Sequence, residues 1–301
     1  MNKSVNRSRV MKMKSKLHKK DNLVGFVFAL PAIMGMLVFF FVPFVLSIGV
    51  SFTNGFGSRS FVGWKNYQEL LKNPTFQLSA WNTARFIFVA VLTNLMISII
   101  ISLILQKKRK GYGFFRVSYI FPLVLPTASI ILFFQLLFSN NGMVEAIFEK
   151  LGFPITNWLN SPNAFYVLII LYVWKNFGYN VVLFTSAFYS VPSSYYEYAN
   201  LEGAGEMKKF FKITLPLTFP YLFFIIVVSI INAFKSFREA YILGGEHPHK
   251  SIYMLQHFMN NNFQNLNYIR VVTSSILVFS VIFVLVLLML KLRNRFGDHE
   301  L

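Results

Sequence analysis

Long apolar segments alternate with short polar segments along the 301-residue chain. A membrane-spanning helix needs about 20 consecutive apolar residues to cross a hydrocarbon core of about 30 Å. The residues within the apolar segments do not alternate with polar ones, which argues against the strands of a membrane β-barrel. The pattern therefore predicts an all-α polytopic membrane protein with six transmembrane helices, at residues 23–50, 84–105, 117–138, 164–188, 217–243 and 271–290.

A basic tail, residues 1–22, precedes the first apolar segment. A secretory signal peptide also begins with basic residues, but its apolar core is only about 7–15 residues long. The segment 23–50 is much longer, and no small-residue cleavage site follows it. We therefore interpret 23–50 as an uncleaved first transmembrane helix, which an outer loop at 51–83 connects to a core transmembrane domain at 84–290.

The placement of the basic residues predicts the orientation of the chain. Of the 29 Lys and Arg residues, 19 lie before the first span, after the sixth, or in the two even-numbered connections; only six lie in the three opposite loops. Basic residues accumulate on the cytoplasmic side of a membrane. Both termini are therefore expected in the cytoplasm, with residues 291–301 as a second tail. The net charge of +18 then reflects topology, and we expect no nucleic-acid partner.

The connection between the fourth and fifth spans, residues 190–219, has the strongest local pattern. Ser194 and Glu197 have the spacing of a capping box, which predicts the start of a short helix. The glycines of the segment 203–205 predict its end. A second amphipathic piece follows, and Pro216 is expected to end it. The pattern predicts two short helices joined by a small-residue elbow; the alternative is an ordinary interfacial amphipathic loop.

This connection resembles the EAA loop of the sugar permeases of ABC importers, the family of the maltose and glycerol-phosphate systems. Two positions depart from the family pattern: Tyr198 stands where Ala is usual, and Glu202 stands where Asp is common. The resemblance implies that this loop is the coupling helix, which docks into a cleft of the cytoplasmic ATPase. It implies that role for Glu197, Ala199, Glu202, Gly203, Ala204 and Pro216.

Other segments between residues 23 and 290 are also similar to this family. They include the sequences FALP at 28–31, FVGWKNY at 61–67 and SFREAYILGG at 236–245, although an acidic residue is more usual where Arg238 stands. The resemblance implies a type I ABC importer permease fold in the bacterial plasma membrane. It also implies the partners: a second homologous permease subunit, an ABC ATPase dimer, and an extracytoplasmic sugar-binding protein that delivers a sugar or oligosaccharide.

The chain lacks the usual means of binding ATP. None of its 16 glycines is followed by Lys, so the phosphate-binding loop G-x-x-x-x-G-K-[ST] is missing. We therefore expect no cofactor on this chain, with ATP and Mg²⁺ bound by the partner ATPase. No catalytic constellation is recognisable either, so the chain is not expected to be an enzyme.

Polar and charged residues inside the spans are the candidates for substrate contact, because they are costly in a membrane. On the fifth span, four of them have the spacing of one helical face; on the fourth, two asparagines lie four apart near Lys175. The candidates are Asn176, Asn180, Asn232, Lys235, Ser236 and Glu239. The alternative is structural: Lys235 and Glu239 could neutralise each other, and asparagines often join helices.

The sequence also suggests two alternative functions. Glu246, His247, His249 and His257 could bind zinc, but their spacing lacks a firm metal pattern and a solvated turn is the simpler interpretation. A secondary transporter of a small polar solute, driven by an ion gradient, would need buried acidic sites. The spans offer only Glu239. We therefore expect no metal, and an ATP-driven importer is preferred.

Overall fold

Six helices in the part of the chain that the structure describes are long and apolar enough to cross a membrane. The structure, a computed structural model, describes residues 24–55, 60–106, 119, 121–154 and 157–297, without the side chains of 292–297. The basic tail 1–22 and most of the connection before the third span lie outside the described residues. No strand occurs within those ranges, so the prediction of an all-α protein with six transmembrane helices is confirmed.

The spans are formed as follows. The first is α1 (Val24–Ser51), and the second is α3 (Pro74–Gln106), which follows a short helix α2 (Lys65–Lys72). The third comprises α4 (Thr127–Phe138) and α5 (Met143–Lys150), and the fourth is α6 (Ala164–Tyr189). The fifth comprises α9 (Phe219–Phe234) and α10 (Phe237–Gly244). The helix α11 (Leu255–Gln264) precedes the sixth, α12 (Tyr268–Gly297).

The described residues up to Asn66 and those from Tyr67 onward form two compact units. In the first unit, α1 contains a π-helical turn at Leu37–Phe41, which ends two residues before Pro43, a residue with no N–H to donate. Beyond α1 the chain is ordered by Asn66, whose side-chain amide donates hydrogen bonds of 2.8 Å to the carbonyls of Ser51 and Thr53. The predicted outer loop therefore starts as a folded segment.

The second span begins ten residues before the apolar segment that predicted it. Its first turns contain Ser79, Asn82 and Thr83, all buried. The Asn82 side chain donates to the backbone carbonyls of Lys250 and Tyr253, at 2.6 and 2.9 Å. Because distant backbone groups bond to Asn82 and Thr83, the helix includes polar residues that a hydropathy pattern assigns to a loop.

The fourth span, α6, is the most buried of the six and organises the second unit. It packs against α3 through small polar side chains, which let two backbones approach closely. Ser98 donates to the carbonyl of Phe177 at 3.2 Å, and Ser102 donates to that of Val181 at 3.0 Å. Toward the other end of α6, Phe86 meets Tyr172 edge to face within the main apolar cluster.

Candidate functional site

The connection between the fourth and fifth spans forms two short helices at an angle, as predicted. The first, α7 (Ser193–Leu201), does not start with the predicted capping box. Pro192 occupies the position before the helix, and no side chain caps the first turn, so Ser194 lies inside the helix rather than at its end. The capping-box prediction is wrong because the helix begins at Ser193, one residue before the expected cap, which makes Ser194 its second residue instead of its cap.

The elbow is built by Gly203, which ends α7 as predicted. Its φ of +68° lies in the left-handed region, which glycine enters without a side-chain clash. The N–H of Gly203 donates to the carbonyl of Asn200 at 3.0 Å, and that of Ala204 donates to the carbonyl of Ala199 at 2.9 Å. This is a Schellman motif, so the chain direction after α7 is set by hydrogen bonds.

The second helical piece, α8 (206–217), continues through Pro216 instead of ending there. It passes through a π-helical turn at Phe210–Thr214, in which the N–H of Leu215 donates to the carbonyl of Phe210. Proline is tolerated in the first turn after such an irregularity, because its missing N–H is not needed there. The piece ends at Leu217 with Thr218 as its C-cap, so the prediction that Pro216 terminates it is wrong by one residue.

The loop combines internal bonds with a contact to the fourth span. Tyr196 hydrogen bonds to Thr214 at 2.8 Å, which joins the two helical pieces, Ala199 is buried, and Phe210 packs edge to face on Phe188 of the fourth span. The exposed residues of the loop include charged side chains of both signs and several large apolar ones. We call seven of them, two carboxylates and five large apolar or aromatic side chains, the elbow surface: Tyr195, Glu197, Tyr198, Leu201, Glu202, Met207 and Phe211.

The six candidate substrate residues do not form one surface. The fifth span is interrupted at Lys235 and Ser236, between α9 and α10, so the predicted single helical face does not exist. Ser236 is buried, and its hydroxyl donates to the carbonyl of Asn232 at 3.2 Å. Lys235 is exposed and Asn232 is half-buried. Around the interruption, the Lys235 side chain is therefore exposed, whereas Ser236 and Glu239 are buried.

Glu239 pairs with Lys175 of the fourth span and not with Lys235. Both side chains of the pair are largely buried, and the Lys175 ammonium also donates to the hydroxyl of Thr127 at 2.9 Å. The alternative in which Lys235 neutralises Glu239 is therefore wrong. Sequence reasoning missed Thr127, although an intramembrane lysine requires hydrogen-bond acceptors and so signals that partners exist.

The two asparagines of the fourth span bond within the helix bundle. The Asn180 amide donates to the Ser229 hydroxyl at 3.0 Å, and Ser229 also accepts from the Tyr172 hydroxyl through its carbonyl, at 3.1 Å. The Asn176 amide donates to the Tyr172 carbonyl one turn earlier, at 2.8 Å. In the structure Asn180 and Tyr172 join the fourth span to the fifth, whereas Asn176 bonds within the fourth span.

The histidines after the fifth span are each held by neighbours. His249 caps a short helical turn by accepting from Ser251, and His247 contacts the Asn261 amide. His257 is fully buried and accepts from the backbone N–H of Met254. Burial lowers the pKa of His257 to about 4, and the nearby Gly245 carbonyl only partly opposes this. No group of three His, Asp or Glu within the described ranges could hold a metal.

Comparison with known proteins identifies the family that this chain resembles. Residues 94–297 match the family described as "Binding-protein-dependent transport system inner membrane component". The arabinooligosaccharides transport system permease protein of Bacillus subtilis is 32% identical over 72% of this chain and 71% of its own length. The trehalose/maltose transport system permease protein of Thermococcus litoralis is 30% identical over 78% and 81%.

The fold agrees with that family. A chain of a bacterial ABC transporter that imports the acidic polysaccharide alginate superposes with a TM-score of 0.81, covering 94% of this chain and 99% of that one at 19% identity. Because it has six apolar spans and matches this family, the chain is a multi-pass protein of the plasma membrane. Members of this family are not themselves enzymes. The chain thus belongs to the inner-membrane permease components of binding-protein-dependent ABC importers.

Proposed function

We propose that the chain is the permease subunit of an importer that moves a sugar or oligosaccharide, delivered by an extracytoplasmic binding protein, at the expense of ATP. Relatives named for arabinooligosaccharides and trehalose/maltose support a saccharide cargo. A second homologous permease completes the pathway, and an ABC ATPase dimer supplies ATP and Mg²⁺ binding. Both termini and the elbow surface face the cytoplasm in this proposal.

The elbow surface is the observation that carries the proposal. Its exposed apolar side chains would be costly in water, and Leu201 is 85% exposed. The carboxylates of Glu197 and Glu202 add the charge that fixes register with a basic partner. Ala199, Gly203, Ala204 and Pro216 shape the elbow beneath this surface. ATP-driven closure of the partner would then push a hydrogen-bonded elbow, which Phe210 and Thr214 connect to the spans.

Within the membrane, the sugar site is proposed at the interruption of the fifth span. Asn232 and Lys235 are accessible there and would contact the sugar. Asn180 and Glu239 join the surrounding spans through the bonds described above, and Asn176 and Ser236 bond to the backbone of their own spans. Discontinuous helices near the middle of the membrane are a common way to build a transport site.

Co-purification tests the coupling role. The tagged chain, expressed together with the genes that adjoin it, is purified in mild detergent. We expect an ABC ATPase to co-purify, and we expect Leu201→Glu to abolish its recovery, because a carboxylate would be buried at an apolar interface. Leu71→Glu, the same change at an exposed leucine of α2, serves as the matched control and retains the ATPase.

Two outcomes would contradict these proposals. A chain that recovers no ATPase, and whose uptake follows an imposed ion gradient in vesicles without ATP, would be a secondary transporter. If Leu201→Glu and Leu71→Glu retain equal amounts of ATPase, the elbow surface is not the docking site.

A further inference from the structure

We propose that the site at the interruption of the fifth span accepts a saccharide that carries a negative charge. The shared chemistry is a carboxylate, phosphate or sulfonate group on the sugar. This inference rests on the proposed function and narrows its substrate class. It is carried by the charges of four residues around the interruption: Lys175, Lys235, Arg238 and Glu239.

The charges at the interruption do not balance. Glu239 is the single carboxylate among the four, and Lys175 already neutralises it. Lys235 and Arg238 are both exposed, and neither forms a salt bridge within the described residues. The next carboxylate along the chain, Glu246, accepts hydrogen bonds from Tyr241 and Gln264. Within the part of the chain that the structure describes, these two positive charges therefore have no counter-ion.

These two charges lie at the depth of the hydrocarbon core. The fifth span runs from Phe219 to Gly244. At about 1.5 Å per helical residue, Lys235 lies roughly 24 Å from its start and Arg238 roughly 28 Å, along a segment of roughly 39 Å. A hydrocarbon core of about 30 Å, centred on that segment, contains both positions. Charged side chains at such depth face a water-filled cavity or a protein interior rather than lipid.

The backbone adds to the positive potential. Because α9 ends before Lys235, α10 begins a new helix at Phe237, and the N-terminal end of a helix carries a partial positive charge. The two exposed cations flank this new N-terminus. Transport sites at broken helices place such ends against anionic groups of the substrate. The two cations and the partly accessible amide of Asn232 thus lie close together in sequence, beside this helix end.

Hydrogen bonds from other helices hold the two helical pieces on either side of the interruption. The Gln256 amide of α11 donates to the carbonyl of Phe234 at 3.0 Å, which satisfies the end of α9. On the outer piece, the Gln135 amide donates to the carbonyls of Ile242 and Leu243, at 2.6 and 3.2 Å. Side chains of α11 and of the third span therefore satisfy carbonyls at the C-terminal ends of both helical pieces.

Uptake of matched neutral and anionic sugars tests the inference. Cells expressing the chain with its adjoining partner genes receive labelled oligogalacturonates, glucose 6-phosphate and sulfoquinovose. Their neutral counterparts are methyl-esterified oligogalacturonates, glucose and quinovose. We expect ATP-dependent uptake of at least one anionic member and not of its neutral counterpart. The three arms distinguish a carboxylate, a phosphate and a sulfonate.

Variants connect that selectivity to the two cations. The double change Lys235→Gln, Arg238→Gln is expected to reduce the initial uptake rate at least about tenfold, since hydrogen bonds to charged groups are lost. Lys235→Arg, Arg238→Lys keeps both charges and should retain most of the uptake. Arg270→Gln removes an exposed cation at the start of the sixth span and is the matched control. Detergent-solubilised amounts and gel-filtration profiles identify any variant that fails to fold.

Two results would overturn the inference while leaving the importer intact. One is ATP-dependent uptake of a neutral sugar at equal rates by the wild-type chain and by Lys235→Gln, Arg238→Gln. The other is no uptake of any anionic member. By contrast, uptake that continues without ATP hydrolysis contradicts the proposed function itself, and the charge inference fails with it.

Discussion

The buried pair of Lys175 and Glu239 shows how single residues connect three spans. Lys175 belongs to the fourth span, Glu239 to the outer piece of the fifth, and Thr127, which accepts from Lys175, to the third. Two opposite charges in a low-dielectric region hold each other in position. Each partner is costly to keep once the other is removed.

Removing only Glu239 should therefore be more harmful than removing both partners. We expect Glu239→Leu to lower the free energy of unfolding by about 3–5 kcal/mol, because Lys175 is left buried without a counter-ion. The double variant Lys175→Met, Glu239→Leu should recover most of this loss. Denaturant titration of the purified chain in mixed micelles measures both values. Equal destabilisation by the single and the double change would show that the pair acts only through packing.

His257 makes stability depend on pH in the acidic range. Its pKa is lowered from 6.5 to about 4 by burial, so the folded protein holds the neutral imidazole. Above pH 6.5 this contribution to stability is fully present. As the pH falls toward 4, the unfolded chain binds a proton that the folded chain does not, and stability declines by about 3 kcal/mol.

The variant His257→Asn isolates that contribution, because the amide oxygen can still accept from the Met254 N–H but does not titrate. Unfolding free energies at pH 7 and pH 4.5 are compared for both chains. The wild-type chain should lose more stability between these values than the variant. A loss of the same size in both would assign the acid sensitivity to other groups.

At the scale of the elements, the elbow between α7 and α8 depends on one backbone conformation. Gly203 has a φ of +68°, whereas Gly205, two residues later, has an ordinary φ of −68°. A Cβ atom added at either glycine would meet no atom within 4 Å. The two positions therefore differ in backbone conformation and not in available space.

This difference gives a matched test of coupling. Gly203→Pro cannot reach the positive φ and also removes the N–H that bonds to Asn200, so it should uncouple ATP hydrolysis from transport while membrane insertion is retained. Gly203→Ala should give a weaker defect, and Gly205→Ala should transport normally. Uptake and substrate-stimulated ATPase activity of the assembled importer are measured together. Normal values for Gly203→Pro would refute the role of the elbow.

Elements whose signals are local could be predicted from the sequence, and those set by distant contacts could not. The six spans follow from apolar length, and the elbow follows from Gly203. The interruption of the fifth span has no local signal, because neither Gly nor Pro stands at 235–236. It is enabled by Gln256, a residue of α11 that satisfies the end of α9. The polar start of α3 similarly depends on carbonyls near residue 250.

For the candidate sites the same distinction holds. The elbow residues were found because their pattern is contiguous in sequence. The pairing of Glu239 was missed because i, i+4 spacing favours Lys235 only in an unbroken helix. Once the helix breaks, Glu239 turns toward Lys175, which lies 64 residues earlier.

At the scale of the whole molecule, the absence of cysteine makes topology directly measurable. Single changes Glu206→Cys and Lys250→Cys introduce unique thiols at exposed positions in two different connections. The positive-inside rule predicts that an impermeant maleimide labels Lys250→Cys in intact cells and Glu206→Cys only in inverted vesicles. The opposite pattern would invert the orientation and remove the elbow surface from the cytoplasm.

The hydrogen bonds that hold α10 have a consequence for how the substrate specificity of such a transporter can change. The Gln135 amide bonds to main-chain carbonyls of α10, and every residue type has such a carbonyl. Side chains on the accessible side of the interruption can then be exchanged without loosening the helix that carries them. Substitutions at a few positions such as Lys235 and Arg238 could thus change the transported substrate during evolution. The helix bundle and the elbow would stay the same.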